Sequence, residues 1–157
     1  MSNQHEIPQV RLASRDDLFD IVHFNISMAL ETEDIALNNA EITQGVQAVF
    51  DDSHLGRYCV ATINNQIVGS LLLTTEWSDW HNKYYWWIQS VYVNPQYRRS
   101  GVYKTLYEFV CNSAKEHGDV YAIRLYVDIN NKIAQQVYNN LGMHKSNYDM
   151  FEEVINF

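Results

Sequence analysis

The stretch Val91-Tyr92-Val93-Asn94-Pro95-Gln96-Tyr97-Arg98-Arg99-Ser100-Gly101-Val102-Tyr103-Lys104-Thr105-Leu106 changes character twice. It opens as an alternating β-run, breaks at Asn94-Pro95, crosses a basic segment containing Gly101, and resumes with helical periodicity. That is a strand, a turn and a helix start. The first turn of a helix leaves backbone N–H groups without intrahelical partners, and the helix dipole places about half a positive charge there. Gly101 lets a bulky oxyanion approach the backbone, and Arg98, Arg99 and Lys104 add full charges around it. A phosphate or diphosphate suits this layout. The plainer reading is a βα turn whose arginines are merely solvated.

Upstream, Arg57 to Ile63 and Gln66 to Trp77 are β-runs joined by Asn64-Asn65, two residues that tolerate positive φ and so predict a tight hairpin. Gly69 in the second run predicts a bulge or a close backbone approach. The segment from Glu76 to Lys83 then interrupts the sheet with Trp77, Asp79, Trp80 and His81, before Tyr84-Tyr85-Trp86-Trp87 begins the next strand. Two readings fit it: an aromatic hairpin with rings stacked across strands, or an acceptor pocket with aromatic walls and an acidic mouth.

Downstream, Val102, Leu106, Phe109, Val110 and Ala114 form the buried stripe of a helix from Ser100 to about His117, stopped by Gly118. Tyr121 to Asp128 reads as a strand. Asn130 or Asn131 caps a last helix carrying Ile133, Val137 and Leu141, and His144 to Phe157 reads as a terminal strand on Met150, Val154 and Phe157. Toward the N-terminus, Gln9 to Ala13 reads as a strand, and Ser14 with Asp17 as a capping box opening a helix from about Arg15 to Leu30. Glu31-Thr32-Glu33-Asp34 is read as an acidic connection, either solvated or a lip that attracts an amine. Asn39 caps a second helix lined by Ile42, Val46, Val49 and Phe50. No linker or repeat interrupts the chain. The expectation is a single domain over 1–157, of mixed α/β class, with a mostly antiparallel sheet of six or seven strands flanked by about four helices.

Composition narrows the function. A net charge of −8 disfavours nucleic acid as a partner and favours a cationic or neutral substrate. Cys59 and Cys111 lack metal-site spacing and the six histidines are scattered, so no metal is expected. The segment Met1 to Gln9 lacks the apolar core of a signal peptide, and no run reaches membrane-spanning length, so a cytoplasmic protein without a membrane partner is expected.

Two motifs carry a family resemblance. Arg98-Arg99-Ser100-Gly101-Val102-Tyr103 resembles the Arg/Gln-x-x-Gly-x-Gly/Ala signature with which the GNAT N-acetyltransferase superfamily holds the pyrophosphate of acetyl-CoA, with Tyr103 replacing the small last residue. Asn131, Ala134, Tyr138 and Gly142 match the superfamily's later Asn-x-x-Ala-x-x-x-Tyr-x-x-x-Gly-Phe motif, with Met143 in place of the phenylalanine. With the preceding hairpin, the resemblance covers roughly residues 57–150.

The resemblance implies a GNAT-like fold and an acetyl-CoA-dependent N-acetyltransferase in which a primary amine of a small molecule or peptide attacks the thioester directly. It implies that Val91, Tyr92 and Val93 offer backbone groups to the pantetheine, and that Arg98, Arg99, Ser100, Gly101, Val102, Tyr103 and Lys104 hold the pyrophosphate. Asn131 would touch the cofactor arm, and the Tyr138 hydroxyl would sit near the sulfur. A phenol suits that place, since its ordinary pKa of about 10 exceeds that of a thiol near 8.5, so it stays protonated at neutral pH and can share its proton with the departing thiolate. The base is less defined: Trp87 and Tyr126 stand where family members carry glutamates. Glu76 and Asp79 are the catalytic candidates, with His81, Glu31 and Glu33 behind them. The alternative is a non-catalytic acyl-CoA-binding regulatory module, which the missing glutamate and Tyr103 favour. A nucleotide binder is disfavoured because no Gly-x-x-x-x-Gly-Lys-Ser/Thr run is present. Exposed sheet edges permit a homodimer.

Overall fold

The computed structural model describes residues 7–156. The polar lead over residues 1–6, and Phe157 of the expected last strand, lie outside them. The order is β1 (Gln9–Leu12), a 3-10 turn, α1 (Leu18–Glu33), α2 (Asn39–Asp51), β2 (Arg57–Ile63), β3 (Gln66–Ser78), β4 (Lys83–Val93), a second 3-10 turn, α3 (Val102–His117), β5 (Val120–Arg124) and α4 (Lys132–Asn140). The described residues form two compact units that part between Tyr126 and Val127, the sheet and α1 to α3 in the first and α4 in the second.

The sheet runs β1-β2-β3-β4-β5, antiparallel throughout except for the parallel pairing of β4 with β5. It therefore has five strands among the described residues, not six or seven. Residues 144–156 form no strand. The apolar residues that suggested one, Met150, Val154 and Phe157, are spaced four and three apart, with Asp149, Glu152 and Glu153 between. That spacing is not the period of two that a half-buried strand requires. Strand β5 also stops four residues short of Asp128.

Asn64 and Asn65 take φ of 50° and 61°, so both central residues of the β2–β3 turn are left-handed, as a primed two-residue hairpin demands. Two residues on, the register slips: Ala61 faces Gly69 but Thr62 faces Ile67, which leaves Val68 as a bulge. A Cβ on Gly69 would stand 3.0 Å from the Tyr92 carbonyl oxygen and 3.1 Å from Val102 Cγ1. The glycine thus lets β3 lie tightly against both the end of β4 and the start of α3.

Alternation along β2 divides the core. Cys59, Ala61 and Ile63 join Leu71, Leu73, Trp86 and Ile88 under the α3 stripe of Val102, Leu106, Val110 and Ala114. Tyr58 and Val60 point the other way and meet Ile21, Val22 and Val46 of α1 and α2. Each fully buried aliphatic here contributes about 1.5–3 kcal/mol of transfer free energy, so α3 is held firmly by its buried face while its first turn stays at the surface.

The start of α1 is fixed electrostatically. Asp17 is buried, accepts from Arg11 at 2.7 and 2.9 Å, and accepts the Ser14 backbone N–H at 2.7 Å. The Arg11 guanidinium, aided by the Ser14 amide, holds the Asp17 carboxyl below the usual aspartate range against the opposing effect of burial. A depressed native pKa stabilises the fold above the unfolded value, near pH 4, and that contribution is lost as pH falls through the native value. Asp17→Asn is expected to lower stability at pH 7 by about 2 kcal/mol, since it weakens hydrogen bonds to a charged group. Urea midpoints measured from pH 7 down to pH 2.5 should converge for the two proteins below pH 4; parallel curves would assign the acid sensitivity elsewhere.

Three local boundaries differ from expectation. Asn38, not Asn39, caps α2, accepting from the Ala40 and Glu41 amides at 2.9 and 3.1 Å. Glu31 to Glu33 form the last turn of α1 rather than a connection, and the helix ends at Asp34 with φ of 54°. Glu76 and Trp77 lie inside β3, so the interruption shrinks to the turn over 79–82. Among the described residues, no helix is long and apolar enough to cross a membrane.

Candidate functional site

Strand β4 has two neighbours for only part of its length. It pairs with β5 from Tyr84↔Val120 to Trp87↔Arg124, and from Ile88 to Val93 it has no strand on that side among the described residues. An unpaired strand edge presents backbone N–H and C=O groups to an extended ligand. On its other side, Tyr92 faces Ser70 while Gln89 faces Leu72, so β4 carries an extra residue there, and Ser90 takes φ of 49°. Such a bulge bends the strand just before Val91, Tyr92 and Val93.

The chain then turns. The Asn94 N–H donates to the Val68 carbonyl at 2.8 Å, and Asn94 Oδ1 accepts from Gln96, which starts the 3-10 turn Pro95–Tyr97. The Ser100 hydroxyl donates back to the Tyr97 carbonyl. Arg99 and Gly101 are left-handed, with φ of 64° and 82°. Gly101 is the N-cap of α3 and, having no side chain, gives the first turn no N-cap hydrogen bond. A Cβ placed on Gly101 would meet nothing within 4 Å. Tyr103 does not cover the glycine; its ring lies 6.4 Å from that of Tyr107, one turn along α3.

The three cations of the turn are differently engaged. Arg98 folds back: its Nε donates to the Val93 carbonyl at 2.9 Å, Nη2 donates to Glu31 Oε2 at 2.6 Å, and its guanidinium lies 5.5 Å from the centre of the Tyr92 ring. Lys104 stands 3.8 Å from Glu108 on the exposed face of α3. Arg99 is exposed and makes no side-chain hydrogen bond or ion pair among the described residues. Arg99 and the uncapped amides are thus the groups open to an anion, while Arg98 frames them.

Glu31 is occupied on both oxygens, since Oε1 accepts from the Tyr92 hydroxyl at 2.7 Å. Arg98 first, then Tyr92, holds its carboxyl below the usual glutamate range. A carboxylate so engaged is a poor proton acceptor, which argues against Glu31 as the base or as a lip for an amine. Tyr92 itself is buried, with the Phe24 ring tilted against it at 5.1 Å.

Of the candidate carboxylates, Glu76 is the one that is oriented. It sits opposite Tyr85, and its Oε2 accepts from Trp87 Nε1 at 2.8 Å and from Arg124 at 3.3 Å, while Oε1 accepts no hydrogen bond among the described residues. Arg124, which the sequence reading passed over, also lies 3.5 Å over the Tyr85 ring. Gln89 donates to Thr74 at 2.6 Å on the next rung. Asp79 is exposed in the β3–β4 turn and makes no hydrogen bond or ion pair among the described residues. At about 3.3 Å per residue, the length of β4 separates that turn from Arg98 by roughly 35 Å. His81 belongs to the turn, with Nδ1 3.0 Å from the Ser78 hydroxyl and its ring stacked on Tyr121 at 3.6 Å. The aromatic-hairpin reading therefore holds here, with Trp77 edge-on to Tyr84 at 4.8 Å.

In the second unit, Asn131 Oδ1 caps α4 by accepting the Ala134 N–H at 3.0 Å, which leaves the side-chain amide N–H groups as its donors. Tyr138 is half-buried on α4, and burial raises its phenol pKa. Cys59 is buried and its thiol is pushed up to about 12, chiefly by burial, so it is no nucleophile near neutral pH. No group of three or more histidine, cysteine, aspartate or glutamate side chains able to hold a metal occurs among the described residues.

The family model described as acetyltransferase (GNAT) family matches residues 25–143. Among solved structures, a possible acetyltransferase from Clostridium difficile 630 is 39% identical, with a TM-score of 0.89 over 96% of this chain and 100% of that one. A predicted acetyltransferase with acetyl-CoA from Clostridium acetobutylicum is 21% identical, with a TM-score of 0.74 over 94% of this chain and 96% of that one. A transcriptional regulator from Bacillus halodurans C-125 is 20% identical, with a TM-score of 0.80 over 95% and 100%. The last two show the shared fold alone. No curated protein sequence matches significantly.

Proposed function

Because the chain belongs to the GNAT acetyltransferase family, we propose that it transfers an acetyl group from acetyl-CoA to a primary amine of a small molecule or peptide by direct attack. The observation that carries this reading is the uncapped start of α3 at Gly101, set directly after a β4 edge that β5 leaves unpaired. The residues present fit the group: amides at a helix N-terminus and the Arg99 charge suit a diphosphate, and the open edge from Val91 to Val93 suits an amide-bearing arm. When bound, acetyl-CoA supplies an acyl thioester whose sulfur can leave as a thiolate.

The chain's own groups have separable roles. Backbone N–H groups of Ser100 to Lys104 bind anionic oxygens, and Gly101 keeps the approach clear. Glu76 Oε1 accepts a proton from the incoming ammonium, directly or through one water, with Trp87 and Arg124 fixing the carboxylate through Oε2. The Tyr138 hydroxyl, kept protonated by its high pKa, shares its proton with the departing thiolate.

The test is thiol release with acetyl-CoA across a panel of polyamines, aminoglycosides, amino acids and peptide amines. Turnover with one class supports the reading; tight CoA binding without turnover on any amine supports the non-catalytic module instead. Glu76→Gln keeps an acceptor for Trp87 and Arg124 but removes the base, and is expected to lower kcat about 100-fold with CoA affinity unchanged. An unaltered kcat would remove Glu76 from the reaction.

A further inference from the structure

We infer that Glu31, on the last turn of α1, is a positioning residue for the diphosphate seat, acting through Arg98 and Tyr92. Three bonds converge there: Tyr92 Oη to Glu31 Oε1 at 2.7 Å, Arg98 Nη2 to Glu31 Oε2 at 2.6 Å, and Arg98 Nε to the Val93 carbonyl at 2.9 Å. The carboxylate thereby joins three parts of the chain: the end of α1, the free end of β4, and the residue from which the loop enters its left-handed path at Arg99.

Stability does not account for this arrangement. The Arg98 and Glu31 side chains are 46% and 39% exposed, and ion pairs in that range contribute little to the folding free energy. What the pair does fix is direction. Arg98 is a forked, planar donor, and two of its nitrogens are spent on acceptors that belong to different elements. Rotation of the loop about Asn94-Pro95 would break one of them. The loop's other side-chain bonds among the described residues are uncharged: the Ser100 hydroxyl donates to the Tyr97 carbonyl, and the Tyr97 hydroxyl reaches Gln66 at 3.4 Å. Glu31 therefore holds the loop in the shape that presents those amides, and it leaves Arg99 as the cation facing outward.

The inference rests on the diphosphate seat proposed above, and calorimetric titration of the full chain with CoA separates the two. In Glu31→Ala the dissociation constant for CoA is expected to rise about tenfold, as for residues coupled by direct contact. In Glu31→Gln, whose single amide oxygen can accept only one of the two bonds, it should rise less. The Michaelis constant for acetyl-CoA should follow in any assay with turnover, while kcat stays put. Thermal midpoints should match the wild type within about 2 °C. Arg98→Ala should weaken binding too, and adding Glu31→Ala to it should cost clearly less than Glu31→Ala costs alone, because only the Tyr92 route remains to be lost. Wild-type protein that ignores CoA would remove the seat and this role together. Wild-type binding with an unchanged Glu31→Ala value, or with tighter binding by that variant, would overturn the positioning role alone; the tighter value would mean that Glu31 competes with the diphosphate for Arg98. Additive losses in the double variant would also overturn it.

Discussion

Tyr138→Phe is expected to lower kcat by about two orders of magnitude while leaving CoA affinity and thermal midpoint near their wild-type values. The hydroxyl is the only group removed. A positioned general acid contributes about 10²- to 10⁴-fold, so the lower end of that range is a conservative expectation for a leaving group that is already a good one. The direction of the pKa shift matters to the argument. Burial raises the phenol above its ordinary value of about 10, so the proton is present throughout the physiological range. The thiolate, with a conjugate acid near 8.5, is a weaker base than the phenolate, so the proton is shared in the transition state rather than lost beforehand. Single-turnover measurement at saturating acetyl-CoA isolates the chemical step. A wild-type rate in the phenylalanine variant would leave Tyr138 as a packing residue of α4 and return the acid role to solvent.

The same residues show how far a sequence can be read. The β2–β3 hairpin, the close approach at Gly69 and the span of α3 were legible because each rests on local chemistry: Asn64-Asn65 for the turn, a glycine where a Cβ would strike the Tyr92 carbonyl, and a stripe at helical spacing. The candidate site could be read only where it is contiguous. Arg98 to Lys104 could be assigned to an anion because a strand, a glycine and a helix start follow one another in the chain. What Arg98 does with its side chain could not be read, since its partner lies 67 residues away on α1. The acidic run Glu31 to Asp34 read as a loop because four polar residues hide their helical phase; tertiary bonds from Tyr92 and Arg98 hold Glu31 in the last turn. Glu76 and Asp79 looked equivalent for the related reason that pairing register is invisible in one strand. Register places Glu76 beside Tyr85 and within reach of Trp87 and Arg124, and it leaves Asp79 past the end of the ladder.

Gly101→Val is expected to raise the dissociation constant for CoA at least 100-fold, and Gly118→Val supplies its control. The two glycines sit at opposite ends of α3 with nearly the same backbone, φ of 82° and 85°, and a Cβ on either would meet no atom within 4 Å. A β-branched residue in that left-handed conformation costs about 1–2 kcal/mol at each site. In a chain of this length that lowers the thermal midpoint by several degrees at most, and equally for both. Strain therefore cancels in the comparison, and what remains is the space in front of each glycine. At Gly101 that space adjoins the uncapped amides of the first turn, where added methyl groups would stand between the backbone and any diphosphate. At Gly118 it adjoins the carbonyl end of α3, where the dipole repels an anion and none is expected. Titration with CoA should thus separate two variants that melt together. Equal affinity in the two would move the diphosphate away from this turn, and with it the acyl group that Glu76 and Tyr138 are proposed to serve.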